Sequence, residues 1–212
     1  MSLFGTDGIR GLANGQVLTA ELALDVAVAA AHILTESFDD KSQRPSAIVG
    51  QDSRASGEFL ESAVVAGLTS AGVDVYRVGV LPTPAISYLV ANTGADLGVM
   101  ISASHNAMPD NGIKLFARGG GKLDDSIEAL VEARIGEPWE RPTGRDVGRA
   151  INDAGAKDKY IEHLLTSLTT RLDGLKIVVD CANGAASFVA PDLLARTGAS
   201  VIAISHTPDG WN

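Results

Sequence analysis

Short apolar runs bounded by Gly, Pro and Asp alternate with longer Ala- and Leu-rich stretches from residue 19 to residue 135, and few folds accept that order. Residues 19–38 are expected to form a helix, with Thr19 at the N-cap, Glu21 in the first turn and an Ala/Val face behind them. A polar connector over 39–45 leads to a buried strand at 47–49, which ends in Gly50-Gln51-Asp52-Ser53-Arg54. A second helix over 56–71 stops at Gly72, and residues 73–80 read as a strand broken by Pro82 and Pro84. A short helix, a strand at 97–101, a polar loop, a strand at 113–116 and a helix over 124–135 follow. Strands that alternate with helices call for an α/β domain with a parallel or mixed sheet.

Residues 136–147 hold Pro138, Pro142 and Gly144 and read as a connection, after which the pattern restarts. A helix over 157–170, a strand at 175–180, a helix over 185–196 and a strand at 200–204 are expected. Two parallel strands make a poor free-standing sheet, so this second unit reads as incomplete. The division is a first domain over 1–150 and the start of a second over 154–212.

Three places concentrate chemistry. Ile101-Ser102-Ala103-Ser104-His105-Asn106 leaves a strand into a loop of small and polar side chains, at the carboxyl edge where open α/β sheets bind ligands. Lys114 lies ten residues after Ser104, on the strand that returns. A hydroxyl-rich turn that only caps backbone groups fits the local pattern equally well. Phe4-Gly5-Thr6-Asp7-Gly8-Ile9-Arg10-Gly11 sets three glycines around Asp7 and Arg10, fitting either a backbone that approaches a ligand with Arg10 forked onto a phosphate or a terminal hairpin with a surface ion pair. Arg54 ends its strand in the same manner, to orient a loop or to face solvent.

Other features are set aside. Gly119-Gly120-Gly121-Lys122 lacks the first glycine and the hydroxyl residue of a P-loop. Cys181, the only cysteine, reads as a packed thiol, and an internal disulfide is impossible. His32 and His163 read as structural. No dinucleotide glycine fingerprint occurs, and a net charge of -9 argues against a nucleic-acid partner. The chain opens without a basic and apolar leader, and the apolar stretch 22–34 is interrupted by Asp25 and His32. The expectation is no membrane partner and a cytoplasmic location.

Taken together and in this order, Phe4–Gly11, Leu81-Pro82-Thr83-Pro84, Ile101–Asn106 and Asp110-Asn111-Gly112-Ile113-Lys114 resemble the α-D-phosphohexomutase superfamily, and within it the phosphoglucosamine mutase family. The resemblance covers the whole chain, through Pro208-Asp209-Gly210-Trp211-Asn212. It implies a first domain with a mixed sheet sandwiched by helices, a phosphosugar substrate and a phosphoserine at Ser104 whose phosphate ligates Mg²⁺. Arg10 and Lys114 would assist proton movement and neutralise charge, His105 and Asn106 would shape the loop, and Arg54 would support it. Ala107 stands where the family often has proline. The Asp-Gly-Asp-Gly-Asp-Arg metal loop of the family does not occur, so other metal ligands are expected to be absent and this chain alone is expected to be inactive. A glucose- or mannose-phosphate mutase and a non-catalytic interaction module stay open, as does a homodimer.

Overall fold

The computed structural model describes residues 3–35 and 44–211. Phe38 and most of the expected connector after it lie outside the described residues. A six-stranded mixed sheet forms the body, in the order β1-β5-β4-β2-β3-β6. Its parallel centre is β2 (Ser46–Gln51) flanked by β3 (Asp74–Val80) and β4 (Leu97–Ile101). β5 (Asp110–Ala117) runs antiparallel to β4, and β1 (Ile9–Leu12) antiparallel to β5.

Every residue of β4 is buried, as a continuous apolar run between helix layers demands. Pleating sends alternate side chains to opposite faces. Val49, Val99 and Leu115 join α1 (Ala20–Thr35), α2 (Gly57–Ser70) and α4 (Asp125–Arg134) in one apolar cluster. Ile48, Met100 and Phe116 join α3 (Thr83–Thr93) and α5 (Ala156–Leu165) in the other. A fully buried Leu or Ile contributes about 1.5–3 kcal/mol, so both layers are held chiefly by burial. The two prolines after β3 act as expected on the strand, and Pro84 falls in the first turn of α3, where its missing N–H costs nothing. Gly94, at φ +72°, ends that helix in the left-handed conformation.

Three elements differ from the sequence expectation. Residues 4–11, for which a terminal hairpin is one of two readings, hold only isolated bridges from Gly5 and Thr6 to Gly8, and β1 finds its partner in β5 instead. The helix expected over 185–196 is a 3-10 turn at Ala185–Phe188 followed by α6 (Ala190–Arg196). Pro191 lacks a donor and crowds the preceding turn, so the two pieces cannot fuse. α5 stops at Leu165 rather than 170, where the hydroxyls of Thr166 and Ser167 bond back to the carbonyls of His163 and Leu164.

β6 (Ala150–Asn152) extends the first sheet by pairing with β3. β7 (Lys176–Asp180) and β8 (Ser200–Ile204) form a separate parallel pair, with Val178 and Ile202 exposed on one face. α5 bridges the two parts: Tyr160 and Ile161 are buried against α3, and His163 stacks on Tyr88 at 3.9 Å between ring centroids. Among the described residues no helix is long and apolar enough to cross a membrane.

Candidate active site

The carboxyl ends of β2 and β4 lie side by side, and the loops leaving them are stitched together. The Asp52 N–H donates to the Ile101 carbonyl at 2.9 Å. Asp52 is 7% exposed, and its carboxylate accepts from the Ser102 hydroxyl at 2.7 Å, from the Arg54 N–H at 3.0 Å and from the Arg54 guanidinium. A buried carboxylate needs such partners, and here they fix the first turn of the loop and the aim of Arg54 together. Arg54 Nη2 then donates to the carbonyls of Ser104 at 3.2 Å and Asn106 at 2.7 Å.

Ser104 stands at the crest of this loop. Its φ is +56°, a left-handed value that non-glycine residues adopt at a steric cost, and its side chain is exposed. Its N–H is held by Ser102 Oγ at 3.0 Å, and its own Oγ lies 3.3 Å from His105 Nδ1. Asn106 turns the loop back, bonding Asp110 through Nδ2 at 3.0 Å and accepting from Arg10 Nη1 at 3.4 Å.

The amino-terminal segment supplies a second layer. The ladder between β1 and β5 sets Arg10 opposite Gly112, two residues before Lys114. The Asp7 carboxylate bridges the two cations, with Lys114 Nζ at 2.7 Å and Arg10 Nη2 at 2.6 Å. Burial opposes ionisation of Asp7, but Lys114 and then Arg10 outweigh it and hold the carboxyl below the usual carboxylate range. A depressed folded-state pKa stabilises the fold above the unfolded value, and that gain is lost as pH falls through the folded value. Wild type is therefore expected to lose more thermal stability than Asp7→Asn as pH drops from about 5 to below about 4, measured as Tm against pH. Equal losses would show that the bridge carries no folding linkage.

The Ser104 loop forms one wall of a cleft of about 710 Å³. Arg54, Ser104, His105 and Asn106 line it, and residues 182–186, after β7, stand in the other wall. Arg10 reaches the loop from behind through the Ala103 carbonyl, at 3.4 Å. Lys114 joins through Asp7 rather than by a hydrogen bond to Ser104. The Nε atoms of Arg10 and Arg54 are both buried with no acceptor among the described residues. Two residues escaped the sequence reading: Asp7, taken only as a partner of Arg10, and Asp52, not singled out. The signal for Asp52 was present, since it ends a buried strand two residues before a cation.

Elsewhere the structure gives the set-aside features plain roles. Lys122 pairs with Glu128 at 3.4 Å beside a glycine turn. Cys181 is buried, and burial followed by the nearby Asp180 charge pushes its thiol pKa up, which disfavours the reactive thiolate. His32 meets Trp139 edge-on at 5.0 Å.

Known proteins resemble this chain along nearly its whole length. A phosphoglucosamine mutase of Acidothermus cellulolyticus is 63% identical over 99% of this chain and 45% of its own length. One from Streptomyces griseus is 60% identical over 99% of the chain and 47% of its own. The crystal structure of a phosphoglucomutase/phosphomannomutase family protein from Burkholderia thailandensis superposes with a TM-score of 0.80 at 29% identity, covering 99% of this chain and 45% of that one. The chain thus spans about half the length of the curated relatives it matches. Residues 1–141 match the alpha/beta/alpha domain I of phosphoglucomutase/phosphomannomutase, and the chain belongs to that family.

Proposed function

We propose that the full-length protein is a phosphoglucosamine mutase, an intramolecular phosphotransferase that interconverts glucosamine 6-phosphate and glucosamine 1-phosphate through a phosphorylated Ser104. The observation that carries this reading is the placement of Ser104: an exposed hydroxyl on a strained crest, inside a cleft, with two guanidinium groups bonded to its own loop. The identity of the curated relatives supports the sugar.

In the proposed cycle the bond from phosphorus to Ser104 Oγ breaks as the sugar O1 bonds to phosphorus. The O1 proton leaves, and Oγ is left to be protonated. The bisphosphate turns over in the cleft, Oγ attacks the 6-phosphate, and O6 departs as a hydroxyl, which restores phospho-Ser104. Phosphoryl transfer asks the protein for positioning and charge neutralisation more than for covalent help. Arg10 and Arg54 hold the loop that carries Oγ, and Lys114, kept beside Arg10 by Asp7, adds positive charge behind it. His105 and Asn106 shape the approach.

Mg²⁺ is the cation the family resemblance implies, and phosphate on Ser104 would offer it oxygen. Among the described residues no three His, Cys, Asp or Glu side chains converge, which is short of the near-octahedral oxygen cage Mg²⁺ requires. The steps assigned to this chain therefore use its own groups alone. A cytoplasmic location and a homodimer belong to the same proposal, and the solution mass of the full-length protein reads the latter.

The test is turnover of glucosamine, glucose and mannose 6-phosphates by full-length protein primed with a sugar bisphosphate, with phosphopeptide mapping of residues 97–114. Preferred turnover of the amino sugar with phosphate on Ser104 is expected. Faster turnover of glucose or mannose phosphate would replace the substrate, and an unmarked, inactive protein would remove the mutase reading.

A further inference from the structure

The wall of the cleft that faces Ser104 is built from strained backbone. Ala182 and Asn183 both have φ +49°, two consecutive non-glycine residues in the left-handed region. Such residues persist where surrounding contacts over-determine them, and they mark places where position matters. Three contacts act here. The Ala182 N–H donates to Asp180 Oδ1 at 2.9 Å, and the Asn183 N–H donates to the Ser205 carbonyl at 2.6 Å. The Asn183 carbonyl accepts from Ser53 Oγ at 2.7 Å.

The third contact differs in kind, because it comes from the loop that leaves β2 of the first sheet. Ser53 lies between Asp52, which fixes Ser102, and Arg54, which holds the Ser104 and Asn106 carbonyls. The next residue extends the grip, with the Ala55 N–H donating to the Gly210 carbonyl at 3.2 Å. Gly210 adopts φ +91°, and a methyl there would stand 2.9 Å from Ala55 Cβ, so the approach is close as well as bonded. One short segment after β2 thus touches both walls of the cleft.

We infer that Ser53 is a positioning residue, whose hydroxyl sets the Ala182–Asn183 turn at a fixed distance from the Ser104 loop and so fixes the width of the substrate cleft. Its effect on turnover rests on the mutase reading above, whereas the tie itself does not. Loss of the hydroxyl leaves Asp52, Arg54 and Ser104 in place and frees the opposite wall, so substrate binding suffers before chemistry does.

The experiment compares full-length wild type with Ser53→Ala and Ser53→Thr by hydrogen–deuterium exchange and steady-state kinetics. In Ser53→Ala the amides of 182–184 are expected to exchange faster, with those of β2 and β4 unchanged. KM for the phosphosugar is expected to rise about five- to tenfold, the scale of one neutral hydrogen bond, with kcat within about twofold. Ser53→Thr, which keeps a hydroxyl, is expected to restore both. Unchanged exchange at 182–184 in Ser53→Ala would overturn the tie, and faster exchange with unchanged KM would overturn its role in the cleft. Should wild type turn over none of the sugar phosphates, the mutase reading falls, and the exchange rates alone decide whether Ser53 holds the wall.

Discussion

Full-length Ser104→Ala is expected to lose phosphosugar turnover by about a thousandfold or more and to carry no phosphoryl mark, while Ser102→Ala keeps both at reduced rate. The loop offers two hydroxyls, and the structure separates them. Ser102 Oγ is already engaged on both sides, donating to the buried Asp52 carboxylate at 2.7 Å and accepting the Ser104 N–H at 3.0 Å. To attack phosphorus it would have to abandon Asp52, which would leave a buried carboxylate short of a donor. Ser104 Oγ carries no such obligation. It is exposed, raised on a left-handed residue, and has the His105 ring 3.3 Å away. Removing the Ser102 hydroxyl therefore loosens the loop and slows turnover, whereas removing that of Ser104 deletes the attacking atom. Retained turnover in Ser104→Ala, or a phosphoryl mark found on Ser102, would reverse the assignment.

That separation shows where sequence reading succeeds and where it stops. β4 and β2 are legible because both are short continuous apolar runs, and burial between helix layers leaves such a run few other states. Gly72 marks a helix end because a left-handed residue suits glycine, as its φ value of +88° confirms. β6 is not legible: its three residues are exposed, and their strand state comes from pairing with β3. The break before α6 could have been read from Pro191, whose ring forbids the continuous helix expected there. In the site, Ser104 and Arg54 stand out by residue type at strand ends, yet the bond between them spans fifty positions. The same holds for Asp7, whose tie to Lys114 exists only because β1 crosses the chain to pair with β5. Pairing across such separations is settled by packing of the whole sheet, which local pattern does not encode.

The sheet edge also predicts a large structural penalty, at Gly8. Gly8 is buried with φ +83°, and a methyl group there would be driven into the Ile113 carbonyl oxygen and stand 3.2 Å from Lys114 Cα. The left-handed backbone costs an alanine about 1–2 kcal/mol before any clash is counted. The clash is with backbone on a paired strand, so relief requires β1 and β5 to part, and a total of about 3 kcal/mol or more is expected. At this chain length about 3 kcal/mol corresponds to a Tm lowered by roughly 6–12 °C. Gly11→Ala is the control within the same segment, since a methyl there meets no atom within 4 Å and the residue has no left-handed φ. Its Tm should stay within about 2 °C of wild type. The consequence reaches the chemistry as well. The strands that Gly8→Ala pushes apart are those that present Arg10 and Lys114 to Asp7. Turnover of the full-length Gly8→Ala protein should therefore fall at temperatures where it remains folded, and the dependence of Tm on Asp7 ionisation should fade with it. A Gly8→Ala protein as stable and as active as Gly11→Ala would show that the tight pairing of β1 with β5 does not position the two cations.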